Sequence, residues 1–183
     1  MGSSSEPFKH LSEPIGRLIA ESGCHLLTGG GYGVMAEVSK AFCEVENRTG
    51  HSIGILRSSD LPLLKEKKQE RRQVSHIVNP WVEIPILTHL PLSGEFGTDF
   101  MSRNHINVMA SDLVIALPGG QGTFSEVTLR VQYRRPIVLF IGDEAINGKK
   151  ATYFSTHPLF SKRMSIASSI EEVREQIAII QKK

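Results

Sequence analysis

The chain has 183 residues, 40% hydrophobic and 22% charged, with a formal net charge of only +2. That length suits one domain with a sizeable core, and so small a charge excludes nucleic acid or an acidic membrane surface as a partner argued from bulk electrostatics. Two cysteines, Cys24 and Cys43, sit among apolar neighbours and outside any CxxC pair, which argues against a disulfide framework or a zinc site. No stretch is long and apolar enough to span a membrane, and the N-terminus carries no basic-then-apolar leader pattern, so the sequence reads as cytoplasmic.

Strand-like and helix-like stretches alternate, which predicts an α/β sandwich around a mostly parallel sheet. A first helix is expected from Pro7 to Ser22, with Phe8, Leu11, Ile15, Leu18 and Ile19 on one face, Pro14 inside it and Gly23 as its stop. "CHLLTG" reads as a short strand. The helix after "GGGYG" places Val34, Met35, Val38, Phe42 and Val45 at helical spacing, and "HSIGIL" is the next strand. "LPLLKEKKQERRQ" mixes both charges and reads as a solvated helix or loop. "VEIPIL" is a strand, Leu90 to Thr98 a loop, and Phe100 to Ala110 a helix leading into the strand "DLVIAL". A helix from Thr123 to Tyr133 precedes the strand "PIVLFI", and a last helix from Ile170 to Ile180 lines up Ile170, Val173, Ile177 and Ile180.

Two junctions run from strand through glycines to helix: "LLTGGGYGVMAE" and "VIALPGGQGTFSE". In a parallel sheet both lie at the carboxyl ends of the strands, where ligands bind. Glycine lets backbone approach closely, and the first amides of the following helix lack intrahelical partners and favour an anion. One such junction is as well explained by a tight turn; two, with the Thr123 hydroxyl, favour a phosphate cradle. "GYGVMA" matches the G-x-G-x-x-A dinucleotide pattern, but the strand that should end in an acidic residue offers Arg57, which disfavours NAD and leaves NADP open on thin support. "GDEAINGKK" is one residue too long for a phosphate-binding P-loop and has Lys150 where that loop needs a hydroxyl, so it reads as a loop with exposed lysines.

Glu126 has a local explanation. "TFSE" fits a capping box, with Thr123 as N-cap and Glu126 reaching back to the Thr123 amide. Arg103 could be a surface cation, since the helix pattern does not fix its facing. His89 and His105 read as packing or surface residues, and the Lys65–Arg72 charge run as a solvated face.

The combination "GGGYGVM" and "SRNHINVMASDLVIALPGGQGTFSE" resembles the Lonely Guy, or "lysine decarboxylase-like", family of Rossmann-like proteins, over roughly Gly2 to Phe140. The resemblance implies a Rossmann-like three-layer sandwich. It also implies a nucleotide-binding protein that hydrolyses the N-glycosidic bond of a nucleoside 5′-monophosphate to free base and ribose 5-phosphate. The alternative it carries is a nucleotide or molybdenum-cofactor carrier without turnover, since carrier proteins share the motif pattern. A DNA-processing protein of similar fold would need a continuous basic groove that the sequence does not show. Residue by residue, Gly29, Gly30, Gly31 and Gly33 match the first motif, and Gly119, Gly120, Gly122 and Thr123 the phosphate-binding part of the second. Glu126 falls on the catalytic glutamate and Arg103 on the arginine that works with it. In that reading Glu126 stabilises an oxocarbenium-like transition state and orients water, while Arg103 holds the substrate and helps stabilise the departing base. No pyridoxal cofactor, metal, nucleic acid or membrane is implied, and the expected assembly is a homodimer or larger homo-oligomer.

The chain departs from the hydrolase pattern at Arg103-Asn104 and Ser125-Glu126, where family hydrolases carry Arg-Lys and Glu-Glu; Arg-Asn and Ser-Glu look more like the carrier branch. The connection from Ser58 to Thr98 is long and is expected to cover the cleft. "MGSSSEP" looks like the turn that follows the family's first strand, with that strand missing. Either the true start lies upstream, or the sheet is arranged differently.

Overall fold

The computed structural model describes residues 1–57 and 78–182. The mixed-charge run "LPLLKEKKQERRQ" lies outside these residues. The elements in chain order are α1 (Lys9–Glu21), β1 (Leu26–Thr28), α2 (Val34–Cys43), β2 (Ser52–Leu56), β3 (Ile84–Leu87), a 3-10 turn (Gly94–Phe96), α3 (Asn104–Ala110), β4 (Val114–Ala116), α4 (Gln121–Gln132), β5 (Ile137–Leu139), α5 (Ala151–Thr156), β6 (Ser165–Ile166) and α6 (Ile170–Gln181). Among the described residues two parallel three-stranded sheets form, in the orders β1-β2-β3 and β4-β5-β6. The alternation of strand and helix in the sequence thus yields the parallel α/β architecture it predicts.

Strand β5 shows why. It is buried on both faces, and its residues and the two that follow alternate between two cores. Val138 and Phe140 pack with Leu11, Ile15, Leu18, Val38, Phe42, Val173 and Ile177 from α1, α2 and α6. Ile137, Leu139 and Ile141 pack with Val127, Val131, Phe154 and Phe160 on the other side. The helices therefore form an outer layer on each face of the strands. The Ile170-Val173-Ile177 stripe read from the sequence is the stripe α6 packs inward, with Val173 and Ile177 buried.

Helix α1 runs through Pro14 and ends where Gly23 adopts φ +69°, the left-handed stop that glycine supplies at least cost. It lies close against α2: a methyl on Gly16 would come within 2.4 Å of the Val38 carbonyl. Two elements have no counterpart in the sequence reading, α5 and β6. Both are short. Apolar periodicity needs more than six residues to show itself, and α5 is held by the Phe124, Tyr153, Phe154 and Phe160 rings packing on one another.

The entry to β3 is fixed by charge. Glu83 accepts from Arg48 at 2.7 Å and from the Ser52 amide at 2.8 Å, and Arg48 also donates to the Gly50 carbonyl at 2.5 Å. The Arg48 hydrogen bond, helped by the Ser52 amide and opposed by burial, holds the Glu83 carboxyl below its ordinary range. A lowered carboxylate pKa gives stability that is present above the unfolded value and is lost as pH falls through the folded one. Glu83→Gln is expected to cost about 1 kcal/mol at pH 7, since the pair is partly exposed. The cost should shrink on acidification below roughly pH 4, as denaturant melts at several pH values will show.

Candidate functional site

Three backbone segments meet at the carboxyl ends of β1 and β4. The first is the turn Gly29–Gly33 between β1 and α2. The second is Pro118–Gly122 between β4 and α4. The third is the N-terminal segment, which ties the other two together. The Ser3 amide donates to the Pro118 carbonyl at 2.8 Å, and the Ser3 carbonyl accepts from the Val34 amide at 2.9 Å. Ser3 Oγ accepts from the amides of Ser5 and Glu6. Gly33, at φ +63°, has no room for a side chain, because a Cβ would lie 2.5 Å from the Ser3 carbonyl. The serines of "MGSSSEP" are thus a structural clasp, and the α2 N-terminus is capped by Ser3.

The first glycine turn is held from the other side by Asn79. Its amide donates to the Gly30 carbonyl and its Nδ2 to the Gly31 carbonyl, both at 2.9 Å. Gly30 itself donates to Thr28 Oγ1 at 3.1 Å. Nothing in the motif pattern marked Asn79, because it comes from a loop 46 residues after Gly33.

The second turn is the more open one. Helix α4 begins at Gln121, with Gly120 as its N-cap in extended backbone. The amides of Gln121, Gly122 and Thr123 are first-turn groups without intrahelical acceptors. A side chain on Gly120 would meet nothing within 4 Å. Thr123 is buried and its Oγ1 lies against Gly119. The loop read as a failed P-loop supports this turn: Gly119 donates to the Ala145 carbonyl at 3.2 Å, and Asn147 donates to the Gly119 carbonyl at 2.7 Å. Asn147 Nδ2 also reaches Gln121 Oε1 at 2.6 Å. Lys149 is not the exposed lysine expected there; it is half-buried over the rings of Phe124 and Tyr153. On the far side Gly94 packs against Gly122 and accepts from Ser125 Oγ at 3.4 Å. The part of the long connection that lies within the described residues therefore walls the turn.

The capping-box reading of Glu126 is overturned. Thr123 sits inside the first turn of α4 and Gly120 takes the cap, because the glycine run lets the helix start two residues earlier than Thr123. Glu126 Oε1 instead accepts from Asn107 Nδ2 of α3 at 3.1 Å. Both residues line a cavity of about 870 Å³ between β1 and β4. Arg103, at the N-cap of α3, turns the other way along its reach. Its guanidinium donates to the carbonyls of Gly29, at 2.5 Å, and Ile55, joining the ends of β1 and β2. The facing that the helix pattern left open is thus toward the ends of β1 and β2. His105 bridges Tyr133 Oη at 2.7 Å and the Asp99 carbonyl at 2.9 Å, a packing role, and His89 is exposed.

This is an α/β protein with parallel sheets, and its two glycine turns lie at the carboxyl ends of the strands, the edge where parallel α/β folds bind ligands. The match to the SLOG cluster4 family model over residues 1–174 shows that the chain belongs to that family. Among solved structures it is similar to the molybdenum cofactor binding protein of the phototrophic bacterium Rippkaea orientalis. The two share 31% identity with a TM-score of 0.69, over 99% of this chain and 94% of that one. It is also similar in fold to the molybdenum cofactor carrier protein of Chlamydomonas reinhardtii, at 24% identity and a TM-score of 0.69, over 100% of this chain and 96% of that one. A structural-genomics target matches in fold at 18% identity, a TM-score of 0.68, and 100% and 96% coverage. No curated protein matches the chain. Among the described residues, no helix is long and apolar enough to cross a membrane.

Proposed function

We propose that this protein binds a phosphorylated small molecule of nucleotide or pterin type and serves as its carrier. The observation that carries the reading is the turn Gly119–Thr123, where first-turn amides and the dipole of a twelve-residue helix lie beside Gly120, at which an added Cβ would meet nothing within 4 Å. The likeness to a molybdenum cofactor binding protein along nearly the whole chain supports it. Among the described residues no group of three His, Cys, Asp or Glu side chains is placed to hold a metal ion. A metal-bearing pterin would therefore be gripped through its phosphate and rings, with the amides and Thr123 Oγ1 on the phosphate. In this reading Gly29, Gly30, Gly31 and Gly33 shape the facing wall, and Arg103 keeps that wall in place through the Gly29 carbonyl.

Hydrolysis of a nucleoside 5′-monophosphate is the second reading, and the Asn107–Glu126 contact favours it. A carboxylate freed from capping and oriented by an amide could stabilise an oxocarbenium-like ribose. The phosphate grip would then supply positioning energy. A panel of nucleoside monophosphates separates the two. Saturable binding without base release at high protein concentration supports the carrier. Base release that disappears in Glu126→Ala overturns it in favour of hydrolysis. Arg103→Ala is a poorer probe, because it strips donors from two backbone carbonyls and should cost about 1–3 kcal/mol of stability whatever the chemistry.

A further inference from the structure

The loop between β5 and α5 misses the P-loop spacing in sequence, yet the fold sets it against the turn proposed to hold a phosphate. Ile146 and Lys149 pair antiparallel, each amide donating to the other's carbonyl at 3.0 Å. The two residues between them, Asn147 at φ 50° and Gly148 at φ 72°, both lie in the left-handed region. That is the geometry of the type I′ hairpin, which Asn-Gly favours. Ile146 is bridged in turn to Gly119, and the Asn147 side chain reaches Gln121, the first residue of α4. The hairpin therefore delivers Lys149 to the side of the α4 N-terminus.

Lys149 arrives there with no anion to hold. Among the described residues its ammonium makes neither an ion pair nor a hydrogen bond; it rests 4.9 Å from the centroid of the Phe124 ring and 5.3 Å from that of Tyr153. Phe124 belongs to the first turns of α4, its amide donating to the Gly120 carbonyl at 3.1 Å. Thr123 gives an independent sign of a ligand at the same turn. It is 4% exposed, its Oγ1 lies against Gly119, and its hydroxyl has no hydrogen-bond partner among the described residues. Buried hydroxyls are usually paired, and a phosphate oxygen would pair this one.

We propose that Lys149 is the cation of the phosphate site: when a ligand binds, its ammonium leaves the two rings and closes on the phosphate held by the amides of Gln121, Gly122 and Thr123. The proposal rests on that turn being the phosphate site. Amides and a helix dipole amount to about half a positive charge, whereas a phosphate monoester carries close to two negative ones. A full cation on a flexible four-carbon stem makes up the difference, as the lysine of a P-loop does. Here the two halves of that device come from separate loops, the amides from the β4–α4 turn and the lysine from the β5–α5 hairpin. The ring faces are the resting place, since they attract an ammonium but leave its three donors unused. The consequence is selectivity: a doubly charged phosphate gains more from Lys149 than a singly charged diester does.

The experiment titrates inorganic phosphate and dimethyl phosphate into isotope-labelled protein at pH 8 and fixed ionic strength, following the amide NMR signals of Gln121, Gly122 and Thr123 and the ring signals of Phe124 and Tyr153. In the parent, phosphate is expected to shift all five and to bind about tenfold more tightly than dimethyl phosphate. Lys149→Gln should lose most of that preference, and Lys149→Arg should keep it. Ring signals that stay put while the amides respond would overturn the proposal without recourse to a variant. A Lys149→Gln protein that keeps the preference, or weakens both probes equally, would also overturn it and leave the turn as the phosphate site. Amides in the parent that ignore phosphate would overturn the phosphate turn and the lysine together.

Discussion

Arg130→Met is expected to destabilise the protein by about 3–5 kcal/mol, the summed cost of leaving several buried carbonyls without their donor. Arg130 is fully buried although it is charged. Its Nε donates to the Pro136 carbonyl at 2.9 Å, its guanidinium to Ser111 at 3.0 Å and Asp112 at 2.7 Å, and also to Val108. One side chain of α4 thereby holds the end of α3, the loop into β4 and the residue before β5. Burial, with the Arg135 charge adding to it and Asp112 opposing, pushes its pKa down to about 10, so the guanidinium still carries its charge near neutral pH. Methionine fills similar space but leaves four carbonyls without their donor. Lysine does not restore them, because a point ammonium lacks the planar fork that reaches several acceptors. Urea melts of Arg130→Met and Arg130→Lys should both fall well below the parent, with the melting temperature of the first lower by roughly 10 °C. A change within 1 kcal/mol for Arg130→Met would show that these bonds add little to the fold.

The second large effect belongs to the glycine turn, and two neighbouring substitutions divide it. A methyl on Gly119 would lie 2.2 Å from Thr123 Oγ1 and 2.8 Å from the Ser3 amide nitrogen. Gly119→Ala must therefore displace both the threonine and the N-terminal clasp. It is expected to lower the stability of the free protein and to weaken binding of a nucleoside monophosphate by about 100-fold, equivalent to about 2.7 kcal/mol. Gly120→Ala meets nothing within 4 Å, so the free protein should melt as the parent does. Its methyl projects into the space assigned to the phosphate, and affinity should fall by about tenfold or more. Calorimetric titration of both variants against one nucleoside monophosphate, beside thermal melts without ligand, checks the pair. Unchanged affinity in Gly120→Ala would place the ligand away from this turn.

The glycine turns were legible because their chemistry is local. A strand that stops, a run of glycines and a helix that starts are contiguous in the chain, and the backbone freedom they provide needs no distant partner. The same locality misled the reading of Glu126. Thr-x-x-Glu is a sound capping pattern, but a glycine run just before it allowed α4 to begin at Gln121, and the carboxylate found Asn107 on another helix. Asn79, Ser3 and Arg130 were silent for the opposite reason. Each acts on carbonyls or amides far along the chain, and single polar residues carry no periodic signal.

By itself, the sequence determined the parallel α/β layering, since alternating apolar strands and amphipathic helices can bury their faces in few other ways. It also determined that two glycine junctions share one edge, because every strand-to-helix turn in a parallel sheet does. Only the tertiary structure decided what those junctions touch. Ser3 clasps one turn to the other, Arg103 binds the ends of β1 and β2, and Glu126 lines the cavity between β1 and β4. Those outcomes depend on which buried polar groups find partners across the fold, and that is settled by three-dimensional packing, which the order of residues along the chain does not display.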